Sequence, residues 1–147
     1  MKDKKYLDED YWTTNLQSGQ MNAWRGYSFE QVCLYHIRQI KQALGISGIS
    51  SSVYSWRSKT AEPGAQIDLV IDRRDDTVNL CEMKYSNQEY TITKNYDMEL
   101  RQKRSAFYEE TKTRKALHNT FVTTYGLAHN AYWGNIQSEV TMNDLFE

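Results

Sequence analysis

Two apolar segments separated by a short polar turn lie at the centre of this sequence. Residues 65–73 (AQIDLVIDR) and 77–85 (TVNLCEMKY) are rich in β-branched and aliphatic side chains, and residues 74–76 (RDD) between them are polar. This pattern predicts a β-hairpin whose strands are buried in the middle of a sheet. Alternation along the first strand predicts that Ile67 and Leu69 share one face.

The predicted hairpin register places charged side chains opposite one another. If the turn is centred on Asp75, Asp68 lies directly across from Glu82, and Gln66 lies across from Lys84. The Cβ atoms of such cross-strand pairs are about 4.5–5.5 Å apart. Two carboxylates at that distance repel each other unless a cation lies between them, and Mg²⁺ takes oxygen ligands of this kind. The hairpin therefore predicts a divalent-metal site at Asp68 and Glu82, with Lys84 on the same face.

The segments around the hairpin predict a complete α/β or α+β domain. Apolar residues three and four positions apart predict a helix over residues 23–44, and Gly45 fits its C-terminal stop. The order helix, three strands, helix, strand predicts a mixed central β-sheet flanked by helices. The other elements are predicted at residues 50–57 (strand), 94–112 (helix), 119–125 (strand) and 136–140 (short strand), with Thr141 capping a final turn.

The chain has the size of one domain and almost no net charge. It contains 147 residues and its formal net charge is −1. Such a balance provides no long-range field for nucleic acid, so any site for a polyanion has to be a local patch. Residues 1–22 are polar and weakly patterned, which predicts an N-terminal arm or linker before a single domain at residues 23–147.

The two cysteines indicate the cellular compartment. Cys33 and Cys81 lie far apart in the sequence, each within an apolar run. Disulfide-stabilised domains are usually dense in cysteine, so we expect both thiols to be reduced, in the core of a cytoplasmic protein. The longest apolar runs are only a few residues long, which is too short to span a bilayer.

The hairpin residues resemble the motif of the PD-(D/E)XK nuclease superfamily, whose members share a restriction-endonuclease-like core. Asp68 occupies the position of the first aspartate, and Glu82, Met83 and Lys84 form the E-x-K element. The resemblance implies that Asp68, Glu82 and the Met83 carbonyl hold Mg²⁺ or Mn²⁺, while Lys84 orients the attacking water. Many members add a glutamate from the first helix, which is the position of Glu30, to complete the site through water or to hold a second ion.

A closer resemblance, from about Trp24 onward, is to the C-terminal nuclease-like domain attached to archaeal-type AAA-family ATPases. Gln66 corresponds to a glutamine that some nucleases place near the site, whereas Ile67 stands where a proline often precedes the aspartate. No Gly-rich phosphate loop occurs in this sequence, so the chain by itself is not expected to bind ATP. The matching segments are residues 26–30 (GYSFE), 66–69 (QIDL) and 80–84 (LCEMK).

Two functions follow from these residues. The first is metal-dependent hydrolysis of phosphodiester bonds in nucleic acid, with DNA as the expected substrate. The second is a catalytically idle nuclease-fold domain that docks on or regulates an ATPase module, or forms a homodimer. Lys94, Tyr96 and Lys103 are the candidate nucleic-acid contacts, and the alternative for this charged segment is a solvated helix face with ion pairs.

Overall fold

A five-stranded mixed β-sheet forms the centre of the computed structural model, which describes residues 19–60 and 64–146. Its strands are β1 (Ser51–Arg57), β2 (Gln66–Arg73), β3 (Thr77–Lys84), β4 (Ala116–Thr123) and β5 (Ser138–Thr141). The order across the sheet follows the order along the chain. β2 is antiparallel to both β1 and β3, whereas β3, β4 and β5 are parallel. The predicted mixed sheet is confirmed.

Helices flank the sheet and connect two of its parallel strands. They are α1 (Gly19–Tyr35), α2 (Ile37–Ala43), α3 (Lys94–Thr111) and α4 (Met142–Leu145), with a short 3₁₀ turn at Trp133–Asn135. α3 is the crossover from β3 to β4, as the parallel pairing of these strands requires. In the described part of the chain, no helix is both long enough and apolar enough to cross a membrane.

The first predicted helix is interrupted at His36 instead of running unbroken over residues 23–44. The His36 ring nitrogen Nδ1 lies 2.7 Å from the Val32 carbonyl oxygen, and the His36 N–H donates to Cys33. The ring therefore takes the carbonyl that would accept the backbone N–H of an unbroken helix. α1 also begins at Gly19, so the arm predicted for residues 1–22 is helical at its end, and residues 1–18 lie outside the described chain.

The second part of this helix ends where the sequence predicts. Gly45 has φ +74, and its N–H donates to Gln42, while the Ile46 N–H donates to Lys41. These two bonds form a Schellman motif, which needs a residue in the left-handed region and so favours glycine. Thr141 precedes α4 as predicted, and its backbone N–H donates to Asp144 at 2.9 Å.

Two hydrophobic layers lie on opposite faces of the sheet. The layer under α1 and α2 contains both cysteines, which are buried and free, as expected for reduced core residues. Burial raises the pKa of the Cys33 thiol to about 12, so this thiol stays protonated at neutral pH. The layer under α3 is built around Phe107 in one cluster and Leu100 in another. Both faces of the sheet are therefore covered by helices.

A β-bulge in β2 changes which of its residues face each layer. The register with β1 slips by one position because β2 has an extra residue at positions 68–69. Bulges rotate the side chains beyond them and are frequent next to functional sites. Ile67 consequently packs with Val70 in the layer under α3, while Leu69 packs under α1. The prediction that Ile67 and Leu69 share a face was wrong, because alternation within one strand contains no information about its pairing with another.

The hairpin register matches the prediction from the turn as far as Leu69 and Cys81, but the predicted backbone pairs of Asp68 with Glu82 and of Gln66 with Lys84 are not formed. Val70 pairs with Leu80 and Asp72 pairs with Val78, as expected for a turn centred on residue 75. β4 begins three residues earlier than predicted, at Ala116, because its parallel pairing with β3 extends to that residue. The predicted turn at residues 59–64 falls partly on residues 61–63, which lie outside the described chain.

Candidate functional site

The candidate site lies at the end of the sheet where β2 begins and β3 and β4 finish. Asp68 is the third residue of β2, and Lys84 is the last residue of β3. Because β3 and β4 are parallel, their carboxyl ends meet at this edge, which is where open α/β sheets commonly bind ligands. The start of α3 and the middle of α1 supply further side chains to the same region.

Asp68 is half-buried and is fixed by the backbone of the neighbouring strand. The last backbone pair between β2 and β3 joins Leu69 to Cys81, so ladder pairing stops one step before Asp68 meets Glu82. There, the Asp68 oxygen Oδ2 accepts a hydrogen bond from the Met83 N–H at 2.9 Å. The Asp68 side chain thus takes the Met83 N–H just beyond the last backbone pair of β2 and β3.

Glu82 is almost fully buried and receives two donors on one oxygen. Its residue exposure is 3%. The Lys103 ammonium lies 2.8 Å from Oε1, and the Tyr96 hydroxyl donates to the same oxygen at 2.9 Å. Burial raises the pKa of the Glu82 carboxyl, and the charge of Asp68 raises it further, whereas Lys103 and Tyr96 lower it. An ionised Glu82 is therefore stabilised by α3 but destabilised by its burial and by Asp68.

The Tyr96 ring connects the two lysines of the site. The Lys84 ammonium lies 4.9 Å from the ring centroid, and the Lys103 ammonium lies 5.9 Å from it. Both distances are within the range of a cation–π interaction. Tyr96 is positioned by the first turn of α3, where its N–H donates to the Thr93 side chain at 3.1 Å. The start of α3 thus sets the position of the ring.

Glu30 approaches the site from α1. It is half-buried, and burial is the main cause that raises the pKa of its carboxyl, followed by the charge of Asp68, while Lys84 lowers it. Asp68 also contributes to the raised pKa of Glu82. The charge of Asp68 therefore raises the pKa of one carboxyl group from α1 and of one from β3.

Two of the predicted site residues, Gln66 and Lys94, form no hydrogen bond or ion pair with Asp68 or Glu82. Gln66 is exposed, and its side-chain oxygen accepts a hydrogen bond from Arg57 at 3.0 Å. Lys94 is exposed at the first residue of α3 and makes no hydrogen bond or ion pair within the described residues. Neither residue contacts Asp68 or Glu82 in this structure, so a role for either one depends on a bound substrate.

Asp68 and Glu82 share an arrangement of hydrogen bonds that leaves one oxygen of each carboxylate available to a metal ion. Each has one oxygen held by the protein, and within residues 19–60 and 64–146 its second oxygen, Oδ1 of Asp68 or Oε2 of Glu82, accepts no hydrogen bond. Neither oxygen is sealed in the interior, since Ser51 Oγ is the one fully buried, unpaired side-chain polar atom of the described chain. Carboxylate oxygens of this kind suit Mg²⁺ or Mn²⁺.

The side chains of the described residues do not form a complete coordination shell for a metal ion. Among the described residues, no group of three His, Cys, Asp or Glu side chains is close enough to hold a metal ion without movement. Glu82 instead forms its ion pair with Lys103. The donor set therefore fits a divalent ion through Asp68 and Glu82, with the remaining positions available to the Met83 carbonyl, water and substrate.

The contacts of Tyr96 and Lys103 with Glu82 differ from their expected role as nucleic-acid contacts. A signal for these contacts was present in the sequence. Tyr96, Leu100, Lys103 and Phe107 repeat at helical spacing, so the lysine belongs to the stripe that faces the sheet. A lysine in an apolar stripe needs an anionic partner, and Glu82 is that partner.

Comparisons with known proteins identify the fold without identifying an activity. No protein-family model and no curated protein matches this sequence. The crystal structure of a protein of unknown function, AF1548, superposes on 80% of this chain with a TM-score of 0.50 and 14% sequence identity. This chain spans 64% of the length of that protein. At this identity the similarity concerns the fold alone, and function has to be argued from the site.

Proposed function

We propose that this chain is a divalent-metal-dependent nuclease of the PD-(D/E)XK type, with DNA as its substrate. The observation that supports this most directly is the position of Asp68 and Glu82 just beyond the last backbone pair of β2 and β3, where Asp68 accepts the Met83 N–H. Each carboxylate has one oxygen anchored by protein donors and one without a donor in the described chain. The charge of Asp68 raises the pKa of the buried Glu82 carboxyl, and a divalent cation between the two groups would offset that repulsion.

Each site residue has a distinct role in this proposal. Asp68, Glu82 and the Met83 carbonyl would hold Mg²⁺ or Mn²⁺, and Glu30 would add a carboxylate through water. The bound ion supplies Lewis-acid activation of the phosphate and of the attacking water. Lys84 orients that water and offsets the negative charge that develops on the phosphate. The half-buried position of Lys84 beside the Tyr96 ring keeps its ammonium near both tasks.

Substrate binding relies on a small basic region, since the formal net charge of the chain is only −1. The ammonium groups of Lys84 and Lys103 lie 4.9 and 5.9 Å from the Tyr96 ring centroid, and Lys94 is exposed at the first residue of α3. Local positive charge of this kind attracts a phosphodiester backbone without sequence preference. We further propose a cytoplasmic protein that works beside an ATPase module, as the resemblance of the sequence implies.

The direct test is cleavage of plasmid and single-stranded DNA with Mg²⁺ by the wild type and matched variants. We expect Asp68→Asn and Lys84→Met to lower the rate at least about 100-fold, because each removes one charge from the reacting centre at nearly constant shape. Glu99→Gln, at an exposed carboxylate of α3, is the control and should cleave at the wild-type rate. Equal cleavage by all four proteins would show that the activity comes from elsewhere.

The second candidate is a catalytically idle docking or regulatory domain with this fold. The ion pair between Glu82 and Lys103 favours it, because it already neutralises the buried carboxylate without a metal. The two candidates differ in one measurable property: a nuclease binds Mn²⁺ between Asp68 and Glu82, and an idle domain does not.

A further inference from the structure

Tyr96 contacts the candidate site through two chemically different parts. Its hydroxyl donates to Glu82 Oε1 at 2.9 Å, and its ring face lies 4.9 Å from the Lys84 ammonium. Glu82 is a proposed metal ligand and Lys84 is the proposed water-orienting residue. The Tyr96 side chain therefore contacts both the metal-binding group and the water-orienting group. Neither the motif nor its resemblance to nucleases assigns this role to Tyr96.

We infer that Tyr96 is a positioning residue with two separable roles: its hydroxyl orients Glu82 for the metal, and its ring holds the Lys84 ammonium in place. This inference rests on the proposed function of the site. It predicts that metal affinity and catalytic rate respond to different parts of one side chain.

The hydroxyl role follows from how Glu82 is held. Tyr96 and Lys103 both donate to Oε1, so they fix the rotation of the carboxylate and leave Oε2 without a donor among the described residues. Carboxylates that bind metals are commonly held in this way by hydrogen bonds to the oxygen that does not coordinate. Because Glu82 is almost fully buried, loss of the Tyr96 donor cannot be replaced easily by bulk water.

The ring role follows from the surroundings of Lys84. Within the described residues, Lys84 forms no ion pair and no side-chain hydrogen bond, so the Tyr96 ring is its defined partner. The ring is itself fixed by contacts with Tyr90 and Phe121, whose centroids each lie 6.1 Å from it. A rigid ring holds a flexible lysine at low entropic cost, which a small aliphatic side chain could not do.

Two substitutions separate these roles. Tyr96→Phe removes the hydroxyl and keeps the ring, whereas Tyr96→Leu removes both. Tyr90→Phe is the matched control, because Tyr90 belongs to the same aromatic cluster and its hydroxyl makes no hydrogen bond within the described chain. Circular dichroism and thermal unfolding of the intact chain show which variants are folded.

The ring role is measured without metal or substrate. Reductive methylation with ¹³C-formaldehyde labels the lysines, and a ring stacked on Lys84 shifts its N-methyl NMR signal upfield. Lys84→Arg assigns that signal. We expect the upfield shift in the wild type, in Tyr90→Phe and in Tyr96→Phe, and its loss in Tyr96→Leu. An unshifted Lys84 signal in the wild type, or a shift that persists in Tyr96→Leu, would overturn the ring role whatever the activity.

The hydroxyl role is measured as Mn²⁺ affinity by electron paramagnetic resonance. We expect Tyr96→Phe and Tyr96→Leu to bind Mn²⁺ about 10-fold more weakly than the wild type, with Tyr90→Phe unchanged. At saturating Mn²⁺, Tyr96→Phe should regain most of the cleavage rate. Tyr96→Leu should remain about 100-fold slower, because Lys84 is no longer aligned.

The outcomes distinguish this inference from the proposed function. If the wild type binds Mn²⁺ and cleaves DNA while Tyr96→Phe keeps wild-type affinity, the hydroxyl role is wrong and the nuclease proposal stands. If the wild type binds no Mn²⁺, the nuclease proposal and the hydroxyl role both fail. The NMR result for Lys84 still decides the ring role in that case.

Discussion

At the residue scale, the surroundings of Glu82 change the free energy of ionising its buried carboxyl group. Burial and the charge of Asp68 both disfavour its ionised form, and the donors from Tyr96 and Lys103 compensate only in part, because the pKa remains raised. In the unfolded chain, neither burial nor the charge of Asp68 disfavours the ionised form of Glu82. Folding therefore makes ionisation of Glu82 less favourable, and the stability of the metal-free protein depends on pH through this group.

The sign of that dependence can be tested with Glu82→Gln. The folded pKa of Glu82 lies above its ordinary value near 4.5, so the folded state binds more protons and its stability falls as pH rises above that value. We expect the wild type to lose stability relative to Glu82→Gln as pH rises from 4 to 8. Urea unfolding with a chelator present measures this. A constant difference across that range would contradict the environment assigned to Glu82.

Residue-level prediction from the sequence succeeded where it depended on local register. The turn centred on Asp75 was sufficient to align β2 with β3, and this alignment brought Asp68 and Glu82 to the same end of the sheet. The contacts of Tyr96 and Lys103 with Glu82 were not predicted, because helix periodicity shows which face of α3 meets the sheet but not which strand residue lies opposite it. Contacts between distant elements depend on packing that a single sequence does not display.

At the scale of elements, the bulge in β2 and the start of α3 together shape the site. The bulge lies at Asp68 and Leu69, where pairing with β3 also ends, and the Asp68 carboxylate accepts the Met83 N–H there. Thr93 begins α3 and thereby places Tyr96 one turn inside the helix. The bulge is not evident from hydrophobic patterning because it depends on the pairing of β2 with β1. The break at His36 is not evident either, because it depends on one ring nitrogen.

The helix start gives a prediction at this scale. Thr93→Ala removes the side chain that caps the Tyr96 N–H and should destabilise the protein by about 1 kcal/mol. Thr91→Ala, two residues earlier at an exposed position with no side-chain hydrogen bond in the described chain, is the control and should be nearly neutral. Urea unfolding of both variants measures the difference. Equal stabilities would show that the Thr93 cap does not set the start of α3.

The whole molecule is a mixed α+β domain with one face of its sheet under α1 and α2 and the other under α3. Its fold was predictable because each element has a strong pattern and the elements alternate in a restrictive order. Its activity is not given by the fold, since the superposed crystal structure has 14% identity and no known function. The nearly neutral charge also means that the functional claim depends on one local site.

Binding of a divalent ion between Asp68 and Glu82 is the central claim, and crystals soaked in Mn²⁺ test it most directly. We expect an anomalous difference peak about 2 Å from Asp68 Oδ1 and Glu82 Oε2, and no such peak in Asp68→Asn crystals treated in the same way. A map in which both carboxylates are ordered and no peak lies between them would contradict the nuclease proposal and favour the idle domain.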